Sequence, residues 1–357
     1  MGGEKRVVCL GGGEEEEVLC IATQKSKGRR EEPVFGVTTE GGKFVVVDLR
    51  ESGSGWGQLR TSVGGAEGDP ATSACFDYKD ENKVYCSAGP RVRELDLRKL
   101  EERSDLTEDN VVCRVGEEVN QVVVSHTGEY LACGDDSGQV SVVKRDRERG
   151  PKVFKELRRG GHENTICSCV AFRSRQPWDV VSGGLDCAAV LWDFSRGKVK
   201  LRIESKGTDP RSNETQMFNP PMIHAVAVPE KKDLANHIAV ARGDATVAVY
   251  DVAKNAIKRS LILKSHKPGV GHTASVGHVC FTQFSQENHL VSGGNDGRVN
   301  LWSWNLDRAS ASQGEELVKW SARHGKKVNW TATLGTASEN ILVADTSCKI
   351  SVYSAPP

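Results

Sequence analysis

Residues 181–193 read VSGGLDCAAVLWD, and residues 291–303 read VSGGNDGRVNLWS. Both run an apolar residue, Ser-Gly-Gly, one variable position and Asp, and then alternate into Leu-Trp. The alternation after the aspartate has the two-residue period of a half-buried strand. Ser-Gly-Gly-x-Asp is turn chemistry, so each stretch predicts strand, tight turn, strand.

Fainter copies of the same ending appear once the Trp slot admits other apolar residues. That slot holds Val47, Leu95, Val143, Trp192, Tyr250, Trp302 and Tyr353, and the six intervals average 51 residues. A further strand-like run precedes each turn, as in KVYCSAG, EYLACGD and NILVADT, and an earlier one precedes that, as in ICSCVAF and VGHVCFT. Each unit therefore has at least three strands and a looser segment expected to be the fourth. Four-stranded sheets repeated radially make a β-propeller. The fold expected is all-β: a seven-bladed propeller occupying residues 1–357 as one domain, with its surplus length in surface loops near 197–221 and 303–323.

The last unit ends shortly after its third strand. KRVVCL, residues 5–10, is a lone strand-like run ahead of the first unit. It is the right length to pair with the strand around Lys349 and Tyr353, completing the seventh blade and covering an otherwise unpaired edge.

Gly161-His162 and Gly271-His272 stand just before the first strands of units four and six. With Ser182, Asp186 and Trp192, and with Ser292, Asp296 and Trp302, they form two sets of one constellation. A carboxylate at a tight turn fixes a histidine, the histidine reaches a strand hydroxyl, and the hydroxyl reaches an indole N–H. Buried polar groups require such pairing. His162, Asp186 and Ser182 also imitate a serine-nucleophile triad, but the set occurs twice at matching spacing and its serine lies beside an indole, so a structural role is expected. Elsewhere the set thins. Gly41 and Gly89 take the aspartate slot in units one and two, Ser137 and Ser347 in units three and seven, while unit five keeps Asp244 and His324 loosely matches the histidine of unit seven. Units one to three are expected to hold mainly by packing.

These landmarks resemble the WD40-repeat family over essentially the whole chain. The resemblance implies a non-catalytic protein-interaction propeller. It also directs attention to the third-strand endings, because many WD40 proteins that dock on the DDB1 adaptor of cullin-4 ubiquitin ligases end one or two blades in Trp-Asp-x-Arg. Asp48-Leu49-Arg50 and Asp96-Leu97-Arg98 keep the Asp-x-Arg part, with Val47 and Leu95 in the Trp slot. Trp192-Asp193 has the better start, but Ser195 stands in the arginine position. The leading expectation is a substrate receptor of a cullin-4–DDB1 ligase. The alternative is a general scaffold that takes a peptide or histone tail on the Gly-His face.

Composition narrows the remaining classes. Lys plus Arg and Asp plus Glu each total 48, so a neutral chain lacks the charge of a general nucleic-acid or acidic-membrane binder. Eleven cysteines, an odd number without a CxxC pair, lie mostly in apolar runs. With no secretory leader evident, they read as reduced core thiols of a cytoplasmic or nuclear protein. Cys167 and Cys169 are expected on one strand face. His266, His272, His278 and His289 match no standard ligand spacing, so neither a metal nor another cofactor is expected. No membrane association is expected, and the propeller should be monomeric within a complex.

Overall fold

Six repeats fold into four antiparallel strands in sequential order and the seventh supplies three, and the computed structural model arranges the seven four-stranded sheets in a ring. It describes residues 5–10, 16–24, 34–50, 59–62, 68–102, 110–146, 150–205, 219–265, 270–285, 287–306 and 317–356. The first strands of the blades are Val18–Thr23, Ser73–Phe76, Val119–Val124, Cys167–Phe172, Ile223–Ala227, Val276–Phe281 and Val328–Thr333. Each touches the first strand of the next blade, and the seventh touches the first, so these strands form the inner wall. Among the described residues there is no α-helix, only short 3-10 turns, and no helix is long and apolar enough to cross a membrane.

The two-residue period sends alternate side chains toward the preceding and the following blade. A blade has no core of its own; the apolar residues gather in seven seams, one between each pair of neighbours. Tyr130, Val140 and Val142 of blade three meet Phe172, Val190 and Trp192 of blade four. On the other side of blade four, Cys169, Val181 and Leu191 meet Ile223, Val240 and Ala248 of blade five. Stability is thus mostly inter-blade burial, at roughly 25 cal/mol per Å² of apolar surface.

The seventh blade is completed by the chain's beginning. Lys5–Cys9 pairs antiparallel with Lys349–Tyr353, from Lys5 opposite Tyr353 to Cys9 opposite Lys349. Val8 is fully buried in the seam between blades seven and one, and Arg6 reaches Glu339 at 3.0 Å.

Two sequence expectations are corrected. The stretches 197–221 and 303–323 are not simply loops, because they contain the fourth strands Lys198–Glu204 and Val318–Arg323. Residues 206–218 and 307–316 lie outside the described residues. The thiols of Cys167 and Cys169 do not share a strand face. A register shift between them inserts Ser168 as a bulge, so Cys167 packs toward blade three and Cys169 toward blade five. Comparable shifts occur near the start of the first strand in blades one, three, five, six and seven.

Candidate functional site

The first strand of each blade begins on the face that holds the Gly-His loops and ends on the opposite one. We call these the histidine face and the arginine face. On the histidine face of blade four, His162 Nδ1 lies 2.9 Å from Asp186 Oδ1, and Nε2 lies 2.8 Å from Ser182 Oγ. Trp192 Nε1 donates to the same hydroxyl at 2.8 Å. Blade six repeats the chain: His272 to Asp296 at 3.2 Å and to Ser292 at 2.7 Å, with Trp302 donating to Ser292 at 2.7 Å. One hydrogen-bond polarity leaves no donor wasted: indole N–H to serine oxygen, serine O–H to Nε2, and Nδ1–H to carboxylate. Ser182 and Ser292 are fully buried and already hold an indole, which leaves neither free as a nucleophile.

The Ser-Gly-Gly motif follows from this packing. A Cβ on Gly184 or Gly294 would strike the histidine ring and the aspartate, and one on Gly183 or Gly293 would strike Ile223 or Val328 of the next blade's inner strand. The serine reaches the indole, the first glycine admits the neighbouring blade, and the second admits the imidazole. Burial alone would raise the carboxyl pKa of Asp186. The bond to His162 and the guanidinium of Arg202, 2.7 Å away, outweigh it and hold that pKa below the usual range. Asp296 is lowered in the same sense by His272 and the Thr273 amide, again against desolvation.

Sequence reading missed Arg202, and Asn300, whose Nδ2 lies 3.1 Å from His272 Nε2. It also misplaced the partners in the thinner blades. In blade seven His324 binds Asp345 at 2.6 Å and Tyr353 at 2.8 Å; the carboxylate comes from two positions before Ser347, which itself bonds Asp345. Blades one and two, expected to rely on packing, replace the constellation with an ion pair at the same turn. Glu16, from the loop ahead of the first strand, pairs with Lys43, and Asp69 pairs with Arg91 at 3.1 Å. A Cβ on Gly41 would overlap Glu16, and one on Gly89 would overlap Asp69. Glycine stands in those aspartate slots because a carboxylate from elsewhere fills the space.

On the arginine face, the ends of blades one and two are built alike. Asp48 accepts from the Arg50 backbone amide at 2.9 Å, and Asp96 from that of Arg98 at 3.1 Å, each forming an Asx turn. The turn folds the guanidinium back on its own carboxylate: Arg50 Nε donates to Asp48 at 3.0 Å and Arg98 Nε to Asp96 at 2.8 Å, with Nη2 completing each fork. The arginine hydrogen bond holds each carboxyl pKa below the ordinary range. Both arginine side chains remain more than half exposed, at 55% and 56%. Blade four departs, since Ser195 binds Asp193 at 2.6 Å while Arg196 stands 3.8 Å off.

This face also holds a central cavity of about 410 Å³, walled by first-strand ends and following turns that include Asp77, Lys231, His289 and Thr333. Of the four clustered histidines, His272 serves the constellation, His278 stacks on Trp330 with ring centres 4.0 Å apart, and His289 stands 3.2 Å from Glu287. Burial drives the His278 pKa down to about 3. His266 lies outside the described residues. The groups serve separate packing tasks rather than converging on one point.

Comparison with known proteins agrees with this geometry. The family model of the WD domain, G-beta repeat (WD40), matches residues 154–193 and 263–303, which carry the two full constellations. The WD repeat-containing protein 53 homolog of Dictyostelium discoideum is 26% identical over 368 aligned positions, covering 96% of this chain and 92% of that protein. The chain is a seven-bladed β-propeller that carries WD40 repeats at residues 154–193 and 263–303, the two blades that keep the complete histidine–serine–aspartate–tryptophan set.

Proposed function

We propose that this propeller is a substrate receptor of a cullin-4 ubiquitin ligase, docked on the DDB1 adaptor through its arginine face. WD40 propellers serve generally as protein-interaction scaffolds, and the ligase role is a narrower reading of that use. The observation that carries it is the matched pair of endings on adjacent blades. Asp48–Arg50 and Asp96–Arg98 each present a half-exposed guanidinium, pre-oriented by an Asx turn and a carboxylate fork. Pre-orientation lowers the side-chain entropy lost on binding, and a planar fork suits a partner's carbonyls or carboxylates. The histidine face is left to present a substrate. In this reading the protein acts by binding without catalysis or cofactor, as a monomeric propeller within the complex, in the cytoplasm, the nucleus or both.

The test is direct binding of the purified chain to purified DDB1. Removing both guanidinium groups (Arg50→Ala with Arg98→Ala) is expected to cost about 2 kcal/mol or more, roughly 30-fold in Kd. Undiminished binding of a normally folded double variant sinks the residue assignment. Absence of binding by the parent chain sinks the ligase reading and leaves the general scaffold, with a peptide or histone tail on the histidine face.

A further inference from the structure

Trp178 stands out among the described residues as an exposed aromatic side chain, with 43% of its surface open. It precedes the second strand of blade four, and its carbonyl accepts from the Phe194 amide at 3.0 Å. That places it beside the third-strand end, on the arginine face. Its indole is not isolated. It packs on Phe194 with centroids 5.4 Å apart and on Tyr130 of blade three at 6.0 Å, and Phe154 stands 5.4 Å from Tyr130. The seam between blades three and four therefore surfaces as an aromatic platform with a rigid base and an open indole on top.

The platform is framed by cations. Lys144 pairs with Tyr130 across the sheet, and Lys152 pairs with Lys144, which sets both on the platform side of blade three. Lys155 lies with its ammonium 6.0 Å from the Phe154 ring, and a Cβ on Gly197 would meet its side chain at 3.8 Å. Arg175 is exposed on the turn that carries Trp178, and Arg196 is 78% exposed. Among the described residues, Lys144, Lys152 and Arg175 form no ion pair. Asp193 offsets Arg196, 3.8 Å away, while Asp179 is taken up by Arg173 and Lys200, so the charge of Lys144, Lys152, Lys155 and Arg175 is left on the rim. Among the described residues of blade three, Glu129 and Glu156 are exposed acids and Asp146 is half-buried, fewer than the cations around them. An exposed tryptophan on a pre-packed base within a basic rim is the composition of an interface anchor, and its field selects negative partners.

We infer that the blade three–four seam docks an acidic segment of a partner protein, one of whose aromatic or long aliphatic side chains packs on Trp178. This surface is separate from the Asp-x-Arg endings of blades one and two and does not depend on the ligase reading.

The probe is a fluorescein-labelled peptide in which a Leu-Phe pair is flanked on both sides by Glu and Asp, titrated with the full chain by fluorescence anisotropy. Binding is expected to weaken as salt rises. It should also fall about tenfold or more in Trp178→Ala and, separately, in Arg175→Glu with Arg196→Glu. Lys258→Glu, an exposed charge reversal on blade five, is the control for net charge and should not change Kd. Thermal melts establish that each variant is folded. The proposal is overturned by parent-like binding in both folded Trp178 and arginine variants. It is equally overturned if the control weakens binding as much as they do, if peptides with Lys for the acids or Ser for Leu-Phe bind as tightly, or if the parent chain binds no peptide at millimolar concentration.

Discussion

Replacing Ser182 by alanine removes one hydroxyl that serves two buried partners. The indole N–H of Trp192 loses its acceptor at 2.8 Å, and Nε2 of His162 loses its donor at 2.8 Å. Both rings are fully buried, so water does not replace the lost bonds, and each unsatisfied group costs about 1–3 kcal/mol. The expected loss is about 2–5 kcal/mol. The equivalent Ser292→Ala change should cost only about 1–3 kcal/mol, because Asn300 Nδ2 stands 3.1 Å from His272 Nε2 and keeps that nitrogen bonded. In blade four the cross-strand neighbour of Ser182 is Val190, which offers nothing, whereas Asn300 faces Ser292. With about 2.1 cal/mol/K of unfolding entropy per residue over 357 residues, mid-range losses correspond to Tm decreases of about 5 °C for Ser182→Ala and 3 °C for Ser292→Ala. Urea denaturation and thermal melts of the two variants measure the difference. Equal losses, or a costlier Ser292→Ala, would refute the view that a shared hydroxyl with a backup donor governs these turns.

Cys187 holds φ at 62°, where blade six has Gly297 at 67°. Cys187→Gly should therefore be neutral or stabilising by up to about 1 kcal/mol, as relief of left-handed strain outweighs glycine's unfolded-state entropy; a loss above 1 kcal/mol in urea denaturation contradicts this. The carboxyls of Asp186, Asp296 and Asp345 have folded pKa values below their ordinary ones. Their contribution is full above the unfolded value near pH 4 and is lost as pH falls through the folded values. Denaturation midpoints should accordingly drop on acidification below pH 4, and less so in Asp186→Asn. Deleting residues 1–9 exposes the edge of blade seven and uncovers the seam that buries Val8, a side chain worth about 1.5–3 kcal/mol; an unchanged Tm would rule out a stabilising role for that strand.

The parts of the fold legible in the sequence are those where one local stretch carries the whole interaction. Val-Ser-Gly-Gly-x-Asp places a turn, two close approaches and a hub hydroxyl within six residues, so blades four and six could be read directly. Blades one and two hid theirs because Glu16 and Asp69 act from loops, and their partners Lys43 and Arg91 sit two positions beyond the slot where an aspartate was sought. The exchange keeps opposite charges at the turn while changing which segment supplies each, and a pattern defined by residue type at fixed spacing does not register it. Cys167 and Cys169 were misread for a different reason. Strict alternation assumes an unbroken ladder, and a bulge at Ser168 reverses the side chain that follows. The aromatic platform was hidden as well, since Tyr130, Trp178 and Phe194 meet only once two blades are side by side.

The union of the first strand with the last sheet sets a schedule for biogenesis. Arg6 and Glu339 are 333 positions apart, so at about 5–20 residues per second the early strand leaves the ribosome some 20–70 s before its partner exists. Through that interval a ribbon rich in Val and Cys has no native neighbour, and six nearly finished blades surround an open seam. Nascent chains of this protein should therefore depend on holding factors until synthesis ends, and stalling before residue 349 should leave them prone to aggregate.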